Sequence, residues 1–394
     1  VLTPQGATFT GRRADDEQDR EFLASTDSWF RPVQVRTGPD GALWVVDMYR
    51  FVIEHPRWIS PDRLAKMDVR AGADKGRIYR VVPEQGALRP VVNLDALATP
   101  ELAAAIDTPN GTVRDTVQRL LDHRQDHAAK PVLARVARES RTAEARMQAV
   151  AALNVLGDLD ADVLLGALAD DQAVVRREAV RIAESRLPKD EAVGRAVARL
   201  ADDADVRVRY QTALSLGEWT APEAGKALAA IASRDGGDPW IRAAVLASAT
   251  PHAQAVLERL VADAGPAGPS STFVGPLIAT LAGGRDRGAV AKALAVLASS
   301  WDQEPAGWRL AAAADLLDAA REAALAVDPS VVPLIAAARK RVAEPKASVA
   351  DRAVALRLLG RAPADREGDR ALIAGRLDPA EPTAIQNAAL HALA

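Results

Sequence analysis

The order of hydrophobic and polar residues changes once along this chain, near residue 95. Before that point apolar and polar residues alternate over short runs, a pattern typical of half-buried β-strands. After it apolar residues recur at positions i, i+3, i+4 and i+7, the spacing that places them on one face of an α-helix. We therefore predict a small β segment followed by a long helical region.

Two strands are predicted at residues 32–36 and 42–47, which are rich in β-branched and aromatic side chains. Gly38-Pro39-Asp40-Gly41 lies between them and predicts a turn, because proline presets φ and glycine accepts a positive φ. A third strand is predicted at residues 76–82. Residues 1–26 contain no clear element, and their charged part is expected to form a short helix or a solvated loop.

Two to four strands do not make a stable domain by themselves. Nine of the fifteen aromatic residues lie within the first 80 positions, so the composition changes where the alternating pattern ends. Four-stranded sheets are the blades of β-propellers. We predict that residues 1–92 are the incomplete C-terminal part of a propeller and resemble its last blade.

Seven arginines mark the helical region, and each precedes a small or β-branched apolar residue by three positions. They are Arg114, Arg146, Arg176, Arg209, Arg242, Arg309 and Arg352. The first five follow one another at intervals of 30–33 residues. A period of this length with two amphipathic helices indicates an α-solenoid.

Aspartates shortly before three of these arginines (Asp171, Asp205 and Asp238) resemble the structural Asp/Arg ladder of HEAT repeats. We predict that residues 93–394 form a HEAT-like, armadillo-like α-solenoid of about eight to nine helix pairs. The fold class is therefore mainly α. The final helix has no polar capping repeat after it, so truncation at the C-terminus is expected.

Composition argues against several classes of function. The net charge is −3 and no basic stretch is interleaved with aromatic residues, which argues against nucleic-acid binding. No run of 18 apolar residues occurs, so no transmembrane segment is expected. The chain has no cysteine, which excludes disulfides, thiolate metal sites and the CxxCH haem attachment.

The run FLASTDSWFRPVQVRTGPDGALWVVDMYRFVIEHPRWI, followed by GRIYRVV and TPNGTVRDTVQRLL, resembles a family of bacterial membrane-bound dehydrogenases. In that family a signal peptide comes first, with a propeller similar to the quinoprotein glucose/sorbosone dehydrogenases. HEAT repeats follow, and a cytochrome c domain with CxxCH often ends the chain. The likeness covers residues 20–124 in detail and the solenoid only in kind. Most of the propeller and the CxxCH are missing here, so the resemblance implies a fragment that holds no cofactor and is inactive alone.

The resemblance implies an exported, membrane-associated oxidoreductase as the parent, in the periplasm or cell envelope. Its cofactors would be a quinone of the PQQ type and a c-type haem. The solenoid would hold a redox partner or the cytochrome c domain. The alternative is a non-enzymatic scaffold for protein–protein interaction, capped by the propeller remnant. A HEAT protein acting on a bound tetrapyrrole protein is a third hypothesis.

Three residues around the second strand are candidate cofactor ligands: Arg31, Tyr49 and Arg50. An arginine fork beside aromatic rings can bind the carboxylates of a quinone or stack on its ring. For Arg31 the alternative is an ion pair with a local aspartate such as Asp47.

Asp47 and His55 are the candidate catalytic residues. A carboxylate at a strand end can hold a metal or orient a base, and a histidine next to a glutamate can take a hydroxyl proton. The alternatives are a carboxylate that accepts backbone N–H bonds and a histidine in a packed structural loop.

No metal site is predicted. Asp40 in the turn could bind calcium, but aspartate at this position commonly bonds its own backbone. His123 and His127 are four residues apart on a predicted helix, without a third ligand at a fixed spacing.

Overall fold

The computed structural model describes residues 1–264, 268–269, 271–299, 307–322, 329–361 and 366–393. Within these residues the chain is mainly helical, and a small N-terminal β segment precedes an α-solenoid of helix pairs. The predicted fold class is therefore confirmed. The predicted truncation at Ala394 concerns a position outside the described residues.

The β segment contains five strands: β1 (Leu2–Gln5), β2 (Thr8–Gly11), β3 (Pro32–Thr37), β4 (Leu43–Asp47) and β5 (Arg77–Val81). The last three form one antiparallel sheet in the order β3-β4-β5, with Val45 opposite Val35 on one side and Tyr79 on the other. The three predicted strands are confirmed. The predicted turn is also confirmed, because the Gly38 amide donates to the Ala42 carbonyl at 2.8 Å. This sheet has three strands, whereas a propeller blade has four.

The expectation that residues 1–26 contain no clear element is wrong. β1 and β2 form a two-stranded hairpin around Gly6, which has a φ of +55°. The Val1 ammonium donates to the Arg12 carbonyl at 2.7 Å, and the Arg12 amide donates to the Val1 carbonyl at 2.9 Å. Both strands have only four residues and are almost fully exposed, so burial imposes no alternation of apolar and polar residues on them.

The described residues contain nineteen α-helices. They are α1 (Pro61–Leu64), α2 (Thr99–Ala104), α3 (Gly111–Arg124), α4 (Lys130–Glu139), α5 (Ala143–Val155), α6 (Ala161–Leu168), α7 (Ala173–Ala183), α8 (Glu191–Arg199), α9 (Val206–Ser215), α10 (Pro222–Asp235), α11 (Pro239–Ala247), α12 (Ala253–Asp263), α13 (Ser271–Gly283), α14 (Arg287–Leu297), α15 (Gly307–Glu322), α16 (Val332–Ala343), α17 (Val349–Leu356), α18 (Arg366–Ala374) and α19 (Thr383–Leu393). From α2 onward the even-numbered helix is the first and the odd-numbered helix the second of each pair.

Two compact units divide the chain. The first comprises Val1–Pro4 with Phe9–Ala179, and the second comprises Gln5–Thr8 with the described residues from Val180 onward. In the first unit leucines such as Leu121 and Leu153 are buried between the helices. In the second unit Leu228 and Leu257 are buried in the same way, and many neighbouring core positions are alanine. Small side chains let the helices approach closely while the leucines fill the space between them. The predicted domain boundary between residues 92 and 93 stays a prediction.

Candidate functional site

An aromatic cluster surrounds the end of β4. Tyr49 follows the strand with a φ of +48°, and its hydroxyl donates to an Asp27 carboxylate oxygen at 2.8 Å. The Arg77 guanidinium lies 3.7 Å from the centre of the Tyr49 ring, and the Trp29 ring centre lies 5.7 Å from it. The Trp29 amide and then the Tyr49 hydroxyl lower the pKa of Asp27, and the bond to Asp27 raises the pKa of Tyr49. The cluster therefore places one carboxylate and one guanidinium around a half-buried ring.

Asp47 is buried at the base of this cluster. One of its carboxylate oxygens accepts the backbone N–H groups of Arg31 and Tyr49 at 2.7 and 2.8 Å. The other oxygen accepts the Tyr79 hydroxyl at 3.4 Å. Asp47 is thus a strand-end carboxylate that holds the neighbouring backbone, which is the alternative given from the sequence. Its catalytic role stays a prediction.

The two candidate arginines bind backbone carbonyls of their own loops. The Arg31 guanidinium donates to the carbonyls of Ser28 and Phe30 at 2.5 and 3.0 Å, so only its backbone, not its side chain, contacts Asp47. The Arg50 guanidinium donates to the Arg70 carbonyl at 3.0 Å. Tyr49, Arg31 and Asp47 lie together in the structure. Cofactor binding by Arg31, Tyr49 and Arg50 stays a prediction.

His55 lies on an exposed loop beyond the cluster. It caps a short 3₁₀ turn at Pro56–Trp58, where its Nδ1 accepts the Arg57 amide at 3.2 Å. A ring nitrogen that caps a turn supports the structural alternative for this loop. The catalytic role of His55 stays a prediction.

The turn between β3 and β4 is attached to the helices of the first unit by Asn110. The Asn110 amide donates to the carbonyls of Gly38 and Pro39 at 2.9 and 3.2 Å, and its oxygen caps α3 by accepting the Val113 amide. Asp40 is buried in the turn, where it accepts the Ala42 amide and the Trp44 indole N–H. Asp40 therefore bonds the backbone of its own turn, which is the alternative to calcium binding given from the sequence. Asn110 lies in the TPNGTVRDTVQRLL motif, so this stretch joins the sheet to the solenoid.

The repeated arginines form an internal ladder. In α3, α5, α7, α9 and α11 the guanidinium donates to the carbonyl six residues earlier, which closes the loop between two helices. The bonds are Arg114–Thr108 2.8 Å, Arg146–Ser140 2.9 Å, Arg176–Asp170 2.8 Å, Arg209–Asp203 2.7 Å and Arg242–Gly236 3.1 Å. The predicted structural role is confirmed for these five of the seven arginines.

The acidic partners of the ladder lie one helix pair further along the chain. Arg146 binds Asp170 at 2.7 Å, and Arg209 binds Asp235 at 2.7 Å. Asp205 and Asp238 instead cap the N-termini of α9 and α11. Of the three aspartates that the sequence placed in the ladder, Asp171 also binds Arg146, at 2.7 Å. Spacing alone does not show which aspartate of the next pair a guanidinium reaches.

An open groove of about 760 Å³ lies between the second helices α15, α17 and α19. Arg321, Arg357, Arg361 and His391 line it together with Asp318, and we call it the arginine groove. Its basic residues lie at or just after the C-terminal ends of these helices, where the helix dipole favours positive charge. The sequence predicted nothing for them. The signal that could have found them is the four-residue spacing of Arg357 and Arg361.

The described residues contain no group of three or more histidines and acidic residues placed to bind a metal. Within the same part of the chain no helix is long and apolar enough to cross a membrane.

Comparison with known proteins finds one matching family and several structures of low sequence identity. Residues 1–85 match the family described as a domain of unknown function, DUF7133. No curated protein matches the chain. The crystal structure of Kap121p is similar over 75% of this chain and 36% of that chain, with 12% identity and a TM-score of 0.44. Kap121p bound to Nup53p is similar over 75% and 41%, with 13% identity and a TM-score of 0.38.

A homology model of the AP-3 complex is similar over 76% of this chain and 64% of that chain, with 9% identity and a TM-score of 0.33. The match to Kap121p spans about a third of the length of that protein. The family match covers only the N-terminal β segment and its following loop, and its description names no activity.

Proposed function

We propose that this chain is a protein-interaction scaffold, in which the second helices of the solenoid bind a segment of a partner protein. Solenoids commonly present such surfaces for partners, because stacked helix pairs offer a long row of side chains. This function was the alternative given from the sequence.

The observation that carries the proposal is the contrast between two sites. In the β segment, Asp47, Arg31 and His55 bond neighbouring backbone groups. In the second unit, the second helices α15, α17 and α19 line an open groove with charged side chains. A volume of 760 Å³ falls in the range of about 300–1,000 Å³ that is typical of ligand sites.

Hydrogen exchange on a purified complex tests the proposal. The chain is used to capture proteins from its source cells, one partner is purified with it, and the exchange of free and bound chain is compared. We expect slower exchange in α15, α17 and α19. Slower exchange confined to the first helices α12, α14, α16 and α18 would contradict the proposed surface.

A dye-linked alcohol oxidation assay with added quinone provides the control for the enzymatic hypothesis. If this chain oxidises the alcohol, His55→Ala abolishes that turnover and no partner is found, the enzymatic hypothesis would replace the scaffold hypothesis. A dehydrogenase parent, its quinone and haem, and a periplasmic or cell-envelope location stay predictions from the resemblance alone.

A further inference from the structure

The arginine groove is lined by small side chains as well as by basic ones. Ala353 and Val354 of α17 and Ala388 and Ala392 of α19 line it. Small residues leave room for an extended main chain to lie close to the helices. The groove is open to solvent, so a peptide can enter it without a change in the fold.

The charges on the rim are only partly balanced. Arg357 donates to Asp315 and Asp318 at 2.7 Å each, and Arg361 forms an ion pair with Asp318. Arg321 is exposed and forms no ion pair with the described residues. Among the described lining residues and their ion-pair partners, three arginines therefore face two aspartates, which leaves an excess of positive charge there in a chain whose net charge is −3.

Asp318 occupies the position that an incoming carboxylate would take. Burial opposes its ionisation, but the hydrogen bonds from Arg357 and Arg361 outweigh burial and hold the pKa of Asp318 below its usual value. The carboxylate is thus charged, and it binds two guanidinium groups at once. Each oxygen of Asp318 thus accepts from one guanidinium, and guanidinium groups bind carboxylates through strong charge-assisted hydrogen bonds.

We propose that the arginine groove binds an acidic peptide segment of a partner protein, whose carboxylates pair with Arg321 and displace Asp318 from Arg361 and Arg357. This assignment rests on the proposed scaffold function and names the chemistry of its partner. An acidic peptide is favoured over nucleic acid because the groove offers only three arginines, whereas polyanion binding needs a longer basic surface.

Fluorescence anisotropy with two labelled peptides tests the assignment. One peptide is rich in glutamate, and the other has the same sequence with glutamine at those positions. We expect the full chain to bind the glutamate peptide at least about tenfold more tightly, which corresponds to about 1.4 kcal/mol. Equal affinity for the two peptides would overturn the proposal, as would tighter binding of a single-stranded oligonucleotide.

Arg321→Glu is the first variant, because this exposed residue can be changed without breaking an ion pair among the described residues. It is expected to weaken binding of the glutamate peptide by at least about tenfold. The matched control is Arg195→Glu on α8, another exposed arginine that lies outside the groove, which should leave affinity unchanged. An equal effect of the two variants would show that net charge alone attracts the peptide, and would overturn the proposal.

Asp318→Asn separates displacement from a purely structural role. If the peptide displaces Asp318, removing its charge frees Arg361 and Arg357, and affinity should rise by about threefold or more. A lower melting temperature without a gain in affinity would mean that Asp318 only holds the helices together. Should Asp318→Asn fail to fold, Arg321→Gln and Arg321→Glu still test the groove assignment, because neither breaks an ion pair among the described residues.

The two proposals can fail separately. Capture of a partner on the second helices, with no preference for the glutamate peptide, would leave the scaffold standing and overturn the groove assignment. Absence of any partner, with no glutamate preference, would overturn both.

Discussion

Arg209→Ala is expected to destabilise the second unit much more than the loss of an exposed arginine. Only 8% of the Arg209 side chain is exposed, and its guanidinium donates to both oxygens of Asp235 at 2.7 and 2.8 Å. It also donates to the Asp203 carbonyl at 2.7 Å. One side chain therefore closes the loop before α9 and connects that helix to the end of α10.

The size of the effect follows from the groups that the substitution leaves without a donor. Asp235 is 13% exposed and would lose both guanidinium donors in a mostly dry site. Removing one partner of a buried ion pair costs about 3–5 kcal/mol, and a hydrogen bond to a charged group contributes about 1.5–3 kcal/mol. Because some water reaches Asp235, we expect a loss near the lower bound, about 3 kcal/mol.

Urea unfolding followed by far-ultraviolet circular dichroism measures this loss. The matched control is Arg195→Ala, because Arg195 is 55% exposed and pairs only with Glu191, which is 79% exposed. Exposed ion pairs contribute about 0.2–1 kcal/mol, so the control should lose no more than that. Hydrogen exchange should show faster opening of α9 and α10 in Arg209→Ala, since neighbouring pairs stabilise one another in a solenoid.

Equal losses in the two variants would refute the reasoning, because burial would then add nothing to the ion pair. A double-mutant cycle with Asp235→Asn isolates the interaction itself. We expect a coupling free energy of about 1–3 kcal/mol for residues in direct contact.

Three further variants test other parts of the chain by thermal or urea unfolding. Gly72→Ala should cost more than about 1 kcal/mol, because Gly72 has a φ of +87° and an added Cβ would meet a backbone carbonyl oxygen. Its control, Gly166→Ala within α6, meets nothing within 4 Å and should be neutral or stabilising, so equal losses would contradict this reasoning. Asn110→Ala should cost about 2 kcal/mol through the lost helix cap and the buried bonds to the turn, whereas exposed Asn154→Ala should cost nothing. Burial lowers the pKa of His252, so the folded state favours the neutral ring and stability should fall as the pH drops below about 6.5. His252→Gln should show a smaller loss between neutral and acidic pH, and an unchanged pH dependence would refute this assignment.

Sequence patterns predicted the elements well where burial imposes a period. The alternation around Val45 indicates a strand because that strand is half-buried, and Gly41 in the turn between β3 and β4 has the positive φ that glycine accepts. The spacing of the first five repeated arginines indicates helix pairs because each of them closes the loop of its own pair. The hairpin of β1 and β2 was missed because exposed strands carry no such period.

The candidate sites could be predicted only as residue types close together in the chain. Sequence reasoning located Asp47, Tyr49 and Arg31 near one strand end, but their partners depend on side-chain directions that spacing does not specify. The tertiary structure decided that Asp47 binds two backbone amides and that Arg31 turns to its own loop.

By itself, the sequence determined that a small sheet is followed along the chain by a solenoid of helix pairs. The reason is that the hydrophobic period and the turn residues are local properties. Only the tertiary structure decided which distant residues meet. Arg209 reaches Asp235 in the next helix pair, and Arg321 comes to lie in one groove with Arg357. The physical reason is that charge pairing acts through space, so residues on different helices share a site that no local pattern records.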